Sequence, residues 1–239
     1  MIIEVKDEHI LKSLGYKDIY EGKIKVLYRA YGIKQNFCSF FMQDKSLLIS
    51  RLDRDYIIKI FDDDYDAEEL AAFLNASNAK GLFLPSELLK QLAPYVHALE
   101  LRYCGIMEYR GGHKPDIIDG SPDLTDIFNI LKNDFYIEYS SWLTDVSHRV
   151  RHGISKVFLY RSASTVTALY DADGQVFLTQ VATKSELRGQ GLASGMLKEV
   201  AGRYTNDGKI TSLVCRNALI PFYEKTGFVK TGEAALAFL

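Results

Sequence analysis

VFLTQVATKSELRGQGLASGMLKEVAGRY (176–204) is the stretch on which the fold turns. A run rich in branched and aromatic residues, strand-like over 175–182, gives way to a short polar loop. Then comes Arg188-Gly189-Gln190-Gly191-Leu192-Ala193, opening a helix of about 189–204 with Leu192, Met196, Leu197 and Val200 on one face. Glycines at such a turn let the backbone aim its N–H groups outward, and those groups sit at the positive end of the helix dipole. The turn is therefore suited to an anion; Arg188 adds a cation and Ala193 keeps the first turn slim. By itself a Gly-x-Gly reads more readily as a glycine-rich corner with no ligand.

Working outward, a strand KITSLVC (209–215) precedes RNALIPFYEKTGFVKTGE (216–233), with a helix expected over about 218–226. Pro221 falls in that helix's first turn, where a missing N–H costs nothing. RGQGLA after a strand resembles the Arg/Gln-x-x-Gly-x-Gly/Ala signature of the GNAT superfamily of acyl-CoA-dependent N-acyltransferases. FYEKTGF (222–228) resembles that family's second landmark, in the right order. The resemblance covers roughly residues 123–235. It implies an α/β fold with a mixed, mostly antiparallel sheet flanked by helices.

It also implies acetyl-CoA as co-substrate and a direct N-acetyltransferase reaction, with no metal. The pyrophosphate would rest on the backbone of Arg188, Gly189, Gln190, Gly191, Leu192 and Ala193. The pantetheine arm would pair near Val181 and Thr183, where the 175–182 strand splays from 209–215. Tyr223 matches the position whose hydroxyl can protonate the departing thiolate; on composition alone it would be a core aromatic. Asn217 lies six residues before Tyr223 where the family has an Asn seven before, so it reads either as a ligand contact or as a cap for the helix at 218. The acceptor would be a small-molecule amine or a peptide; a homodimer is left open.

Toward the N-terminus, RGGHKPDIIDGSPD (110–123) concentrates loop residues and marks a junction between domains at 1–112 and 113–239. Helices are expected over 123–134 and 140–153, the second stopped by Gly153, and strands over 156–162 and 164–171. The first half reads as strands at 24–33, 37–43, 45–53 and 56–61, a helix at 66–77 behind Asp66, a strand at 81–85 and a helix at 86–96 capped by Ser86. A last strand is expected at 103–110. Both halves follow the order strand, strand, helix, strand, helix, and each carries an Asp-x-Asp turn, Asp53–Asp55 and Asp171–Asp173. That is either an internal duplication or a recurring β-turn. Where the second half has RGQGLA the first has DDDYD (62–66), whose four carboxylates would repel a pyrophosphate. The first half is then a degenerate GNAT-like domain or an unrelated α/β cap.

Two clusters bear on mechanism. His148, Arg151 and His152 share a helical face, but Arg149 stands where a zinc-binding His-Glu-x-x-His would need Glu, which argues against a metal. A solvated basic face and an acceptor or CoA-phosphate contact both fit. An alkyl ammonium, with pKa near ~10, must lose a proton before attack, and Glu138, Asp145 and Glu186 are candidate bases that no spacing separates.

Composition excludes other classes. The 239 residues carry a net charge of −2, where a partner of nucleic-acid phosphates usually has a basic excess, and only HRVRH (148–152) speaks for one. No apolar run approaches the ~20 residues of a membrane span, and the acidic residues of MIIEVKDEHI argue against a signal peptide. Cys38, Cys104 and Cys215 are scattered and odd in number, which suits a cytoplasmic protein better than a disulfide framework. The alternative to an enzyme is a CoA-binding sensor or scaffold that keeps the fold without turnover.

Overall fold

Asp18 caps a helix where β-propensity reads a strand. Its carboxylate accepts from the N–H groups of Tyr20 and Glu21, and Ile19–Tyr31 coils with Tyr20, Ile24 and Leu27 on its buried side. Side chains at i, i+4 and i+7 form one stripe only on a helix, so the reading of 24–33 as a strand is corrected. The computed structural model describes residues 1–239. In chain order the first half runs β1 (Ile2–Glu4), α1 (His9–Ser13), α2 (Ile19–Tyr31), β2 (Cys38–Gln43), β3 (Leu47–Leu52), β4 (Asp55–Ile60), α3 (Ala67–Ala76), β5 (Gly81–Pro85), α4 (Ser86–Leu92) and β6 (Glu100–Tyr109). Then follow α5 (Leu124–Leu131), α6 (Tyr139–Arg151), β7 (Lys156–Tyr160), β8 (Ser164–Ala172), β9 (Gln175–Thr183), α7 (Leu192–Asn206), β10 (Ile210–Arg216), α8 (Ile220–Thr226) and β11 (Phe228–Phe238). Asp66 caps α3 by accepting from Glu69 N–H. Ser86 does not cap α4: Pro85 holds that place, and the Ser86 hydroxyl donates to Glu87.

The chain forms two units, Met1–Gly105 with Gly232–Leu239, and Ile106–Thr231. In the first, the strand order is β1-β2-β3-β4-β5-β11, antiparallel except for β4 beside β5. Its core joins Leu47, Ile49, Tyr56 and Ile58 to Leu70 and Leu74 of α3, Leu88 and Leu89 of α4, and Ala235 and Ala237 of β11. In the second, the order is β11-β6-β10-β9-β8-β7. Strands β7, β8 and β9 are antiparallel, and β9 runs parallel to β10. One face carries Val176, Leu178, Met196, Leu197, Val200, Leu213 and Phe228; the other packs Ile127, Ile130, Trp142 and Val146 over Val157 and Ala182. Strands β6 and β11 each contribute one end to each unit.

Each unit thus holds three antiparallel strands, a helix, a parallel strand and a helix. The hairpin turns between the second and third of those strands begin at Asp53 and Asp173, at φ +53° and +50°, a conformation that Asp tolerates better than most residues. Their partners Asp55 and Asp171 already lie within strands. The shared signal is one turn aspartate rather than an Asp-x-Asp pair.

Candidate active site

Strands β9 and β10 pair only over Gln175–Leu178 with Ile210–Leu213. Beyond Leu178 the β9 edge that faced β10 continues to Thr183 without it. On its other side β9 is irregular. Thr167 pairs with Thr179 and Thr165 with Ala182, so Gln180 and Val181 stand opposite the single Val166. Gln180 takes up the extra length at φ +53°, and its side-chain oxygen accepts from the Thr167 hydroxyl 3.1 Å away. A bulge of this kind redirects backbone N–H and C=O groups out of the ladder, here beside half-buried Val181. Thr183 is buried, its hydroxyl 2.7 Å from Ser164 Oγ.

The chain then makes one turn of 3-10 helix, Ser185–Leu187, before Arg188. Gly189 and Gly191 adopt φ +78° and +76°, and a Cβ at either would meet nothing within 4 Å. The outer side of the turn is therefore open. Gly191 is the N-cap of α7, and the first α7 hydrogen bond runs from Gly195 N–H to its carbonyl at 2.9 Å. The N–H groups ahead of Gly195 have no intrahelical acceptor, which is the general property of a helix start, and no side chain caps them here. The Arg188 guanidinium is already engaged: Nε donates to the Thr183 carbonyl at 3.2 Å, and Nη2 lies 2.7 and 2.8 Å from the two Asp134 oxygens.

Tyr223, on α8, is 6% exposed. Its ring packs edge-on against Phe222 and Phe228, and burial raises its phenol pKa far above the ordinary value, with Cys215 of β10 adding to the shift. No hydrogen bond contributes to that shift. Asn217 is exposed in a single 3-10 turn at the end of β10. It caps nothing: the N-cap of α8 is Leu219, without side-chain help, so that alternative is corrected. Pro221 does occupy the first turn of α8.

A family model described as an acetyltransferase (GNAT) domain matches residues 134–236. The C-terminal half is a GNAT domain. No curated protein matches the chain, but several solved structures share its fold. A Drosophila protein is 11% identical with a TM-score of 0.67, covering 100% of this chain and 98% of its own. A GCN5-related N-acetyltransferase from Kribbella flavida is 14% identical, TM-score 0.64, covering 92% of this chain and 94% of its own. A tandem GNAT protein from the clavulanic acid biosynthesis pathway is 8% identical, TM-score 0.59, covering 100% and 98%. The GNAT-type fold therefore extends to the N-terminal half.

That half lacks the open turn. After β4, the Asp64 N–H donates to Asp62, Asp66 caps α3, and the Gln43 carboxamide holds Asp66 through its N–H at 2.8 Å and its carbonyl at 2.9 Å. β4 and β5 also part after three residue pairs, Asp55–Ile57 with Gly81–Phe83. Here, however, Tyr20 of α2 packs its ring, tilted by 35°, against Phe83 and donates its hydroxyl to the Leu84 carbonyl at 3.3 Å.

The three carboxylates that sequence could not separate differ sharply. Glu138 caps α6, accepting from the N–H groups of Ser140 and Ser141 and from the Ser140 hydroxyl, and these bonds bring its pKa down to about 2. Such a group is a poor proton acceptor at neutral pH. Asp145 is ion-paired with Arg149 one turn on, and Glu186 is exposed on the 3-10 turn. His148 and His152 lie with ring centres 4.2 Å apart and tilted by 36° at the C-terminal end of α6, and there is no group of three or more His, Cys, Asp or Glu residues placed to hold a metal ion. Asp134, which sequence reasoning did not single out, meets Arg188 only in space.

Proposed function

We propose that the chain is a cytoplasmic N-acetyltransferase that moves an acetyl group from acetyl-CoA directly to a primary amine of a small molecule or peptide. Residues 113–239 would form the acetyltransferase domain, and residues 1–112 a degenerate GNAT-like domain without a cofactor loop. The observation that carries this reading is the open Gly189–Gly191 turn at the start of α7, standing just beyond a parallel strand pair that stops after four residues. On this reading the pyrophosphate accepts from the N–H groups of residues 188–193. Pantetheine hydrogen-bonds to the vacated edge of β9 near Val181 and Thr183, and Asn217 flanks it from the end of β10.

The amine, once neutral, attacks the thioester carbonyl. A C–N bond forms, the C–S bond breaks, the thiolate takes the Tyr223 proton, and the proton shed by the acylated nitrogen restores the phenol through solvent. A phenol is protonated at neutral pH without any shift, and burial makes Tyr223 a weaker acid; what supports the role is its match to the family position, with the hydroxyl hydrogen-bonding the sulfur as the thiolate departs. Glu138 is tied down as a cap, so the ammonium proton leaves by another route. The test is CoA release with acetyl-CoA and a panel of alkyl, amino-acid and peptide amines. Turnover with one of them supports the enzyme; tight acetyl-CoA binding with no turnover on any supports the non-catalytic sensor.

A further inference from the structure

Arg188 is the only side-chain cation between Glu186 and Ala193, yet its guanidinium is bound to Thr183 and Asp134. One arm reaches the end of β9 and the other the loop after α5. We propose that Asp134 is a positioning residue for the acetyl-CoA site, acting through Arg188; this rests on the cofactor reading above. The residues from Ser185 to Gly191 are almost all exposed and contribute no side chain to the core. Two of them are glycines at positive φ. Such a segment has little of its own to hold it, and the planar guanidinium, with separate donors to Thr183 and Asp134, ties its entry to the end of β9 and to the loop after α5. With that tie the N–H groups ahead of Gly195 are ordered before the ligand arrives, and binding does not bear the cost of ordering them. Asp134 also brings a carboxylate close to a turn meant for an anion, which is tolerable only while Arg188 neutralises it.

A purely electrostatic role for Arg188 and this positioning role predict opposite signs for Asp134→Asn. Freeing the cation would tighten acetyl-CoA binding; loosening the turn weakens it. The experiment is calorimetry with acetyl-CoA on wild type, Asp134→Asn, Arg188→Ala and the double variant, with thermal melts alongside. Each single variant is expected to weaken binding roughly 3–10-fold, and the double variant no further. The effect of Asp134→Asn should appear in KM for acetyl-CoA rather than in kcat, and melting should hardly move, since exposed ion pairs are worth ~0–1 kcal/mol to folding. Arg188→Lys, which keeps the charge and loses the fork, should not restore affinity. A second arm needs no ligand: trypsin should cut after Arg188 faster in Asp134→Asn than in wild type. Unchanged or tighter binding by Asp134→Asn overturns the proposal. If wild type itself fails to bind acetyl-CoA, the cofactor reading falls, and unchanged cleavage after Arg188 then overturns the clamp separately.

Discussion

At Tyr223 one oxygen atom separates two roles. The ring belongs to the core with Phe222 and Phe228, and Tyr223→Phe preserves that packing. If the hydroxyl serves the leaving thiolate, turnover should fall by roughly 10²–10⁴, with melting and acetyl-CoA affinity little changed, because the lost interaction exists mainly in the transition state. Turnover at the wild-type rate would return Tyr223 to the core. Gly191→Glu combines a side chain in the left-handed region, which costs about 1–2 kcal/mol, with a negative charge on the open face of the turn. It should abolish acetyl-CoA binding by calorimetry while the protein still melts cooperatively. At this scale the sequence shows what a residue can do and seldom what it touches. Gly191 and Tyr223 are legible because their neighbours in the chain carry the pattern. The Asp134–Arg188 contact joins positions 54 apart, and Glu138 looks like a base until the N–H groups of Ser140 and Ser141 are seen to claim it.

Among the elements, α7 is held by more than its apolar face. Residues 111–119 cross it where Gly202 leaves room: a Cβ there would lie 2.5 Å from the His113 Cα. Glu199, 1% exposed, accepts from His113 Nε2 at 2.8 Å and the Asp116 N–H at 3.0 Å, and pairs with Arg203. Burial would raise its pKa, but the hydrogen bonds from His113, Arg203 and Asp116 outweigh it, and the folded value lies below the ordinary one. A carboxylate with a lowered folded pKa stabilises in full above its unfolded pKa of about 4.3 and loses that contribution as pH falls through the folded value. Glu199→Gln should therefore melt lower than wild type at pH 7, by the ~1.5–3 kcal/mol of a hydrogen bond to a charged group. Melting curves of the two should converge as the pH is taken from about 5 to 3; a constant gap would refute the assignment. The segment 110–123 was legible as loop from its Gly, Pro and Asp, but not as a strap, because nothing in its composition names its partner. Residues 24–33 show the converse. Their branched and aromatic content favours a strand, while Asp18 and the spacing of Tyr20, Ile24 and Leu27 specify α2; spacing prevailed because it decides which side chains can be buried together.

For the molecule as a whole, the two units share their element order but not their turns. DDDYD closes on itself through Asp62, Asp66 and Gln43, and Tyr20 occupies the Leu84 carbonyl beside the gap between β4 and β5. Titration with acetyl-CoA should saturate at one equivalent per chain, and a second equivalent site would mean that the N-terminal unit still binds cofactor. The acidic turn was readable in the sequence; the Tyr20 contact was not, since it depends on α2 being a helix. The membership of β11 was equally hidden, because nothing in FVKTGEAALAF names the strands it pairs with.

That strand has a consequence for how the protein comes into being. Residues 234–238 pair with β5 and complete the core of the first unit, with Ala234, Ala235 and Ala237 fully buried. The ribosome delivers Met1–Gly105 long before them, and at about 5–20 residues per second the interval is on the order of ten seconds. The half made first is thus the half finished last, and throughout that interval the edge of β5 waits for a strand not yet synthesised.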